Sequence, residues 1–122
     1  GPVGGICSSA VRLYKTHTHV LFIPVDMPYV SAELLQSLLP QPHASYFEGH
    51  PLPCILPLDR KTMRQIDAAA QTLARKQKLS VKSLLADLAA QAIPVQSHLK
   101  KALTNTNTPE EWKEVCHEST HQ

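Results

Sequence analysis

The chain has 122 residues, 43% of them hydrophobic and 18% charged, with a formal net charge of +2. That is one domain's worth of sequence with enough apolar surface for a modest core, which excludes disorder by composition. No run of about 18 apolar residues occurs, so there is no candidate transmembrane helix, and the three scattered cysteines (Cys7, Cys54 and Cys116) argue against a disulfide framework or a Cys-x-x-Cys zinc site and suit a reducing, cytoplasmic setting.

In chain order, residues 1–5 (GPVGG) read as a loop that opens a helix over about 6–14. Glycines at Gly4 and Gly5 let backbone N–H groups face an anion at a helix amino terminus. Residues 20–25 (VLFIPV) form an apolar run with β character, the signature of a buried strand, expected here as the central one of the sheet. It ends on Asp26. A carboxylate at the carboxyl end of a strand stands where open α/β sheets place their ligand crevice. Met27-Pro28 then turns the chain out of the strand, and Ser31 is the expected N-cap of a helix over 32–39. Asp26 therefore reads in two ways: as a divalent-metal ligand of a nucleotide enzyme, or as a turn aspartate bonded to nearby N–H groups.

Residues 44–47 and 53–58 suggest two further strands joined through Glu48-Gly49-His50-Pro51. Pro51, Pro53 and Pro57 place the second at a sheet edge or beside a bulge, because proline cannot donate to a ladder. His50 is extended by the proline after it. Asp59 or a neighbour caps a long helix over about 61–77, with Met63 in its core stripe. Ser80 caps another over 81–91, and 93–96 is a short strand. In NTNTPEEWKEV, residues 105–115, Thr108 as N-cap, Pro109 at the first helical position and Glu111 closing a capping box predict a helix over 110–118. Asn105 and Asn107, two apart, project to one face of an extended chain and present two amides to a polar ligand, or else make turns before the helix.

Four segments taken together resemble a known family: GPVGGI at 1–6, FIPVDMPYVS at 22–31, GHPLP at 49–53 and NTNTPEEW at 105–112. In that order, they look like the carboxyl-terminal portion of a molybdenum cofactor guanylyltransferase, an enzyme of molybdopterin-guanine dinucleotide biosynthesis. The resemblance implies an α/β fold of the Rossmann-like nucleotidyltransferase type, incomplete because its amino-terminal part is missing, in a single truncated domain over 1–122. It implies transfer of GMP from GTP to molybdopterin, with Asp26 as the catalytic ligand of Mg2+ and with Asn105, Asn107, His50 and Gly5 on the substrates. Family members carry a glycine-rich loop of the type Leu-x-Gly-Gly-x-Ser-x-Arg-Met-Gly, which holds the nucleotide phosphates. No such loop occurs here, so the chain by itself is expected to be inactive.

Two other function classes remain open: a non-catalytic remnant that binds the cofactor or a partner, and a relative that transfers CMP or acts on a sugar phosphate. If the missing part normally lies against the strand over 20–25, its absence exposes strand edge and favours a homo-oligomer through the exposed sheet. Between residues 60 and 101, nine Lys or Arg accompany two acids. That segment reads as a solvated helix face or as an attraction for phosphate. Few aromatics and no recognition motif argue against nucleic acid as a partner, and nothing indicates a membrane. His17 with His19, and His117 with His121, are the closely spaced histidine pairs. Neither has a third ligand nearby in sequence; both read as structural or incidental, and the tail pair alternatively as a nickel or zinc scavenger.

Overall fold

The computed structural model describes residues 1–27, 30–39 and 42–103, and the backbone of 112–117. In chain order the elements are α1 (Pro2–Leu13), β1 (His19–Pro24), α2 (Ala32–Gln36), β2 (Ser45–Phe47), β3 (His50–Pro57), α3 (Arg60–Ala74), α4 (Val81–Asp87), β4 (Gln91–Ile93), a 3-10 helix (Ser97–Leu103) and β5 (Trp112–His117). The five strands form one mixed sheet in the order β4-β2-β3-β1-β5. β1 is antiparallel to both neighbours, β2 is antiparallel to β3, and β2 and β4 are parallel.

Helices cover both faces of this sheet, which gives the α/β class that the strand and helix signals imply. The strand period of two divides the core. Val20 and Phe22 of β1, with Cys54 and Leu56 of β3, pack under α1, α3 and α4. Leu21 and Ile55 point the other way, onto Leu34 and Leu38 at α2 and onto Leu99 and Leu103 of the 3-10 helix. A strand buried on both faces reads as a continuous apolar run, as VLFI does. The thiol of Cys7 in α1 donates to the carbonyl of Ile66 in α3 over 3.7 Å.

The three expected caps that fall within the described residues all form. Ser31 Oγ accepts from the Leu34 N–H at 3.2 Å, Asp59 Oδ1 from Thr62 at 2.8 Å and Ser80 Oγ from Ser83 at 3.0 Å. Met63 packs against the first cluster. β1 arrives one residue early and is fourth of the five strands in space, so β3 and not β1 occupies the centre. That puts the proline-bearing strand in the middle of the sheet. The bulge alternative explains how. Tyr46 pairs with Cys54, but Phe47 pairs with His50, so Pro51 and Pro53 fall in the register shift where no ladder bond to β2 is required.

Three expectations change. Residues 1–5 are not a loop, because α1 already starts at Pro2. Proline is preset for the first helical position, and Val3, Ile6, Cys7, Ala10 and Leu13 complete a buried stripe only if the first turn is helical. The strand expected over 93–96 lies earlier, at Gln91–Ile93, where it pairs with β2. The helix expected over 110–118 is instead β5, paired with β1 over six positions from His19↔His117 to Pro24↔Trp112. The edge of β1 offers a row of backbone donors and acceptors, and that pairing overrides a local helix preference. Thr108, Pro109 and Glu111 lie outside the described residues. β5 also occupies the strand edge that the sequence left open for self-association.

Candidate functional site

β1 delivers Asp26 to one end of the sheet. The strand stops at Pro24, Val25 and Asp26 turn, and Met27 is buried at 8% exposure. The Ser31 cap then starts α2. Asp26 is half-buried, with Oδ1 shut off from solvent.

Three other segments reach the same end. β3 runs antiparallel to β1, so its first residue, His50, stands at the end where β1 finishes. His50 is half-buried beside the Glu48-Gly49 turn, where Gly49 adopts φ 81°, a left-handed value that favours glycine. The Glu48 N–H donates to the Ile93 carbonyl at 2.9 Å and ties the end of β4 to this turn. Five residues, 14–18, link α1 back to the start of β1. α1 therefore returns along the sheet, and its first turn, with Gly4 and Gly5, lies toward the Asp26 end. The Gly5 N–H donates to the Gly1 carbonyl at 3.5 Å. It serves the helix itself and is not part of an open loop. Sequence reading gave no role to Glu48, a second carboxylate at this end; its only signal is its place beside Gly49-His50.

Asn105 and Asn107 lie outside the described residues. Described backbone flanks them: Leu103 is buried in the second cluster, and Trp112 stands in register with Pro24. Among the described residues no three His, Cys, Asp or Glu side chains form a metal site. A magnesium ion bound with a nucleotide takes one or two protein carboxylates and completes its shell with phosphates and water. A single half-buried carboxylate such as Asp26 is chemically compatible with that donor set.

Other chemistry is disfavoured. Burial alone raises the Cys7 thiol and pushes Cys54 up to about 12. Both thiols stay protonated in the core and are poor nucleophiles. The nine Lys and Arg residues between 60 and 101 are all exposed, the pattern of a solvated face. Within the described residues no helix is long and apolar enough to cross a membrane. An open cavity of about 680 Å³ lies at the other end of β1, lined among others by Lys15, His17, His19, Pro57 and Asp59.

No family model matches the chain. It is 33% identical over 121 residues to the molybdenum cofactor guanylyltransferase of Xanthomonas euvesicatoria pv. vesicatoria (strain 85-10). The match takes in 98% of this chain and 62% of that protein, so the chain spans less than two thirds of the relative's length. The crystal structure of protein Aq1419 from Aquifex aeolicus VF5 superposes with a TM-score of 0.70 at 16% identity, over 88% of this chain and 56% of that one. At that identity the likeness concerns the fold alone, and it agrees with the mixed α/β architecture described above. The resemblance carried by the motifs is thus borne out: over nearly all of its length, this chain is similar to a molybdenum cofactor guanylyltransferase.

Proposed function

We propose that these residues form the part of a guanylyltransferase that holds the metal-bound nucleotide phosphates against molybdopterin. A phosphate oxygen of molybdopterin attacks the α-phosphorus of GTP, a new P–O bond forms, and the bond to the β-phosphate breaks to release pyrophosphate. Mg2+, when bound, neutralises charge on the phosphates. Asp26, at the end of β1, would hold that ion. His50 lines the same end of the sheet. Asn105 and Asn107 orient the pterin by paired amide hydrogen bonds. Asn107 precedes Trp112, the register partner of Pro24, by five positions in sequence. Gly5 lies in the amino-terminal turn of α1, whose partial positive charge suits an anion nearby. No protein nucleophile is required, since such transfers depend on positioning and electrostatics.

The observation that carries this reading is the half-buried carboxylate just past the end of a buried strand, in a chain that is 33% identical to a named guanylyltransferase. The chain contains no glycine-rich triphosphate loop, so we expect no turnover of GTP by these 122 residues unaided. The test uses a chimera that restores a family amino-terminal half ahead of Gly1. Asp26→Asn in that chimera should lower magnesium-dependent guanylyl transfer by at least about 100-fold, the scale of one lost electrostatic catalytic contact, with an unchanged melt. Near-normal turnover would remove Asp26 from the mechanism. Binding of molybdopterin with no transfer by any chimera would favour the binding-module reading.

A further inference from the structure

The cavity of about 680 Å³ at the start of β1 opens at the sheet end opposite Asp26, and its volume is that of a small-molecule site. Three stretches distant in sequence wall it: residues 14–19, which link α1 to β1 and begin that strand, Pro42, and residues 57–59 between β3 and α3. Backbone hydrogen bonds hold two of these walls in place. The Leu58 N–H donates to the Thr18 carbonyl at 2.7 Å, and the His17 N–H donates to the Leu13 carbonyl at 2.9 Å.

The polar groups on the walls have defined hydrogen-bonding roles. Thr16 Oγ1 donates its one hydrogen to the Leu13 carbonyl at 3.4 Å. It therefore accepts from the His17 ring, whose Nδ1 lies 2.8 Å away, and the lone pair of that imidazole sits on Nε2. Among the described residues nothing bonds to this Nε2. Asp59 Oδ1 accepts the Thr62 N–H of the α3 cap at 2.8 Å, and a carboxylate has further lone pairs that the cap does not use. Lys15 supplies a donor. Tyr14, 39% exposed, supplies a hydroxyl and an apolar ring face.

This lining mixes acceptors with donors, and its two charges, on Lys15 and Asp59, offset each other. A phosphate would meet the carboxylate there, and an ammonium would meet the lysine. A hydroxyl both donates and accepts, so a neutral ring that carries several hydroxyls satisfies the set without burying net charge. The C–H faces of such a ring suit Pro42, Pro57 and the ring of Tyr14. We propose that this cavity binds a sugar ring, with His17 Nε2 and Asp59 accepting from its hydroxyls and Lys15 donating to them. The same chemistry is offered by a free pyranose and by the ribose of a nucleoside. The site is separate from Asp26 and does not rest on the guanylyltransferase reading.

The experiment follows backbone amide NMR shifts of the untagged chain during titration with methyl β-D-glucopyranoside and, separately, with uridine. Saturable shifts are expected at residues 15–18 and 58–59, with a millimolar dissociation constant. Binding of the glucoside assigns a pyranose, and binding of uridine alone assigns a ribose. Asp59→Asn, which keeps the α3 cap, and His17→Phe, which keeps a ring without its nitrogens, should each weaken binding by about threefold to tenfold, the scale of one hydrogen bond. Absence of saturable shifts with both ligands overturns the proposal, as do shifts confined to the Asp26 end. Parental affinity in both variants also overturns it. So does displacement of the bound sugar by inorganic phosphate at equal concentration, which marks an anion site instead.

Discussion

Ending the chain at Leu103 removes β5 and returns an open edge to β1. Six register pairs join the two strands. In an antiparallel ladder half of such pairs are hydrogen-bonded and each exchanges two bonds, roughly six bonds in all. At a net value of about 0.5–1.5 kcal/mol each, their loss costs about 3–9 kcal/mol. The lower part of that range is expected, because water takes up groups on an edge strand more readily than groups in a core. Even about 3 kcal/mol is a large share of a typical domain stability of about 5–15 kcal/mol. Val20, Phe22 and Leu21 stay covered by helices on the two faces, so the truncated chain keeps its core but offers an apolar, unpaired strand to a second copy. Light scattering across a dilution series, with melts at each concentration, is the assay. The expected result is a lower melting point that rises with concentration as dimers form. A truncated chain that stays monomeric at high concentration and melts like the parent would refute the role given to β5.

Two further predictions concern folded-state chemistry. Asp59→Ala removes the side chain that caps α3 at 2.8 Å; it should cost about 1 kcal/mol and lower the melting point by about 2–8 °C, while Asp59→Asn keeps most of the stability. An unchanged melt in the alanine variant would mean that water or another group replaces the cap. Burial pushes Cys54 from 9.0 up to about 12. Its folded value lies above its unfolded one, so the stability from the neutral thiol is whole below pH 9 and is lost as pH rises toward 12. Cys54 should therefore resist thiol reagents at neutral pH until the chain unfolds, and fast native labelling assigned to Cys54 by mass spectrometry would contradict the burial argument.

The elements legible in the sequence were those fixed by local chemistry. Ser31, Asp59 and Ser80 cap the helices they precede, because a short oxygen-bearing side chain satisfies N–H groups only a few residues away. The apolar run ending before Asp26 is a strand buried on both faces, and its tip carries the candidate metal ligand. Neighbour-dependent features were not legible. Gly4 and Gly5 join a helix because Val3, Ile6 and Ala10 have a sheet and two helices to pack against. Trp112–His117 is a strand because β1 offers it an edge, although the residues before it carry the signals of a helix start. The pairing of His19 with His117, and the approach of His50 to the Asp26 end, follow from antiparallel register between segments distant in sequence. Sequence alone determined where helices begin, which strand is buried and which family the motifs resemble. Tertiary structure decided strand order, the identity of β5 and the two ends to which polar side chains are gathered, because those depend on backbone hydrogen bonds and burial between segments whose separation no local pattern encodes.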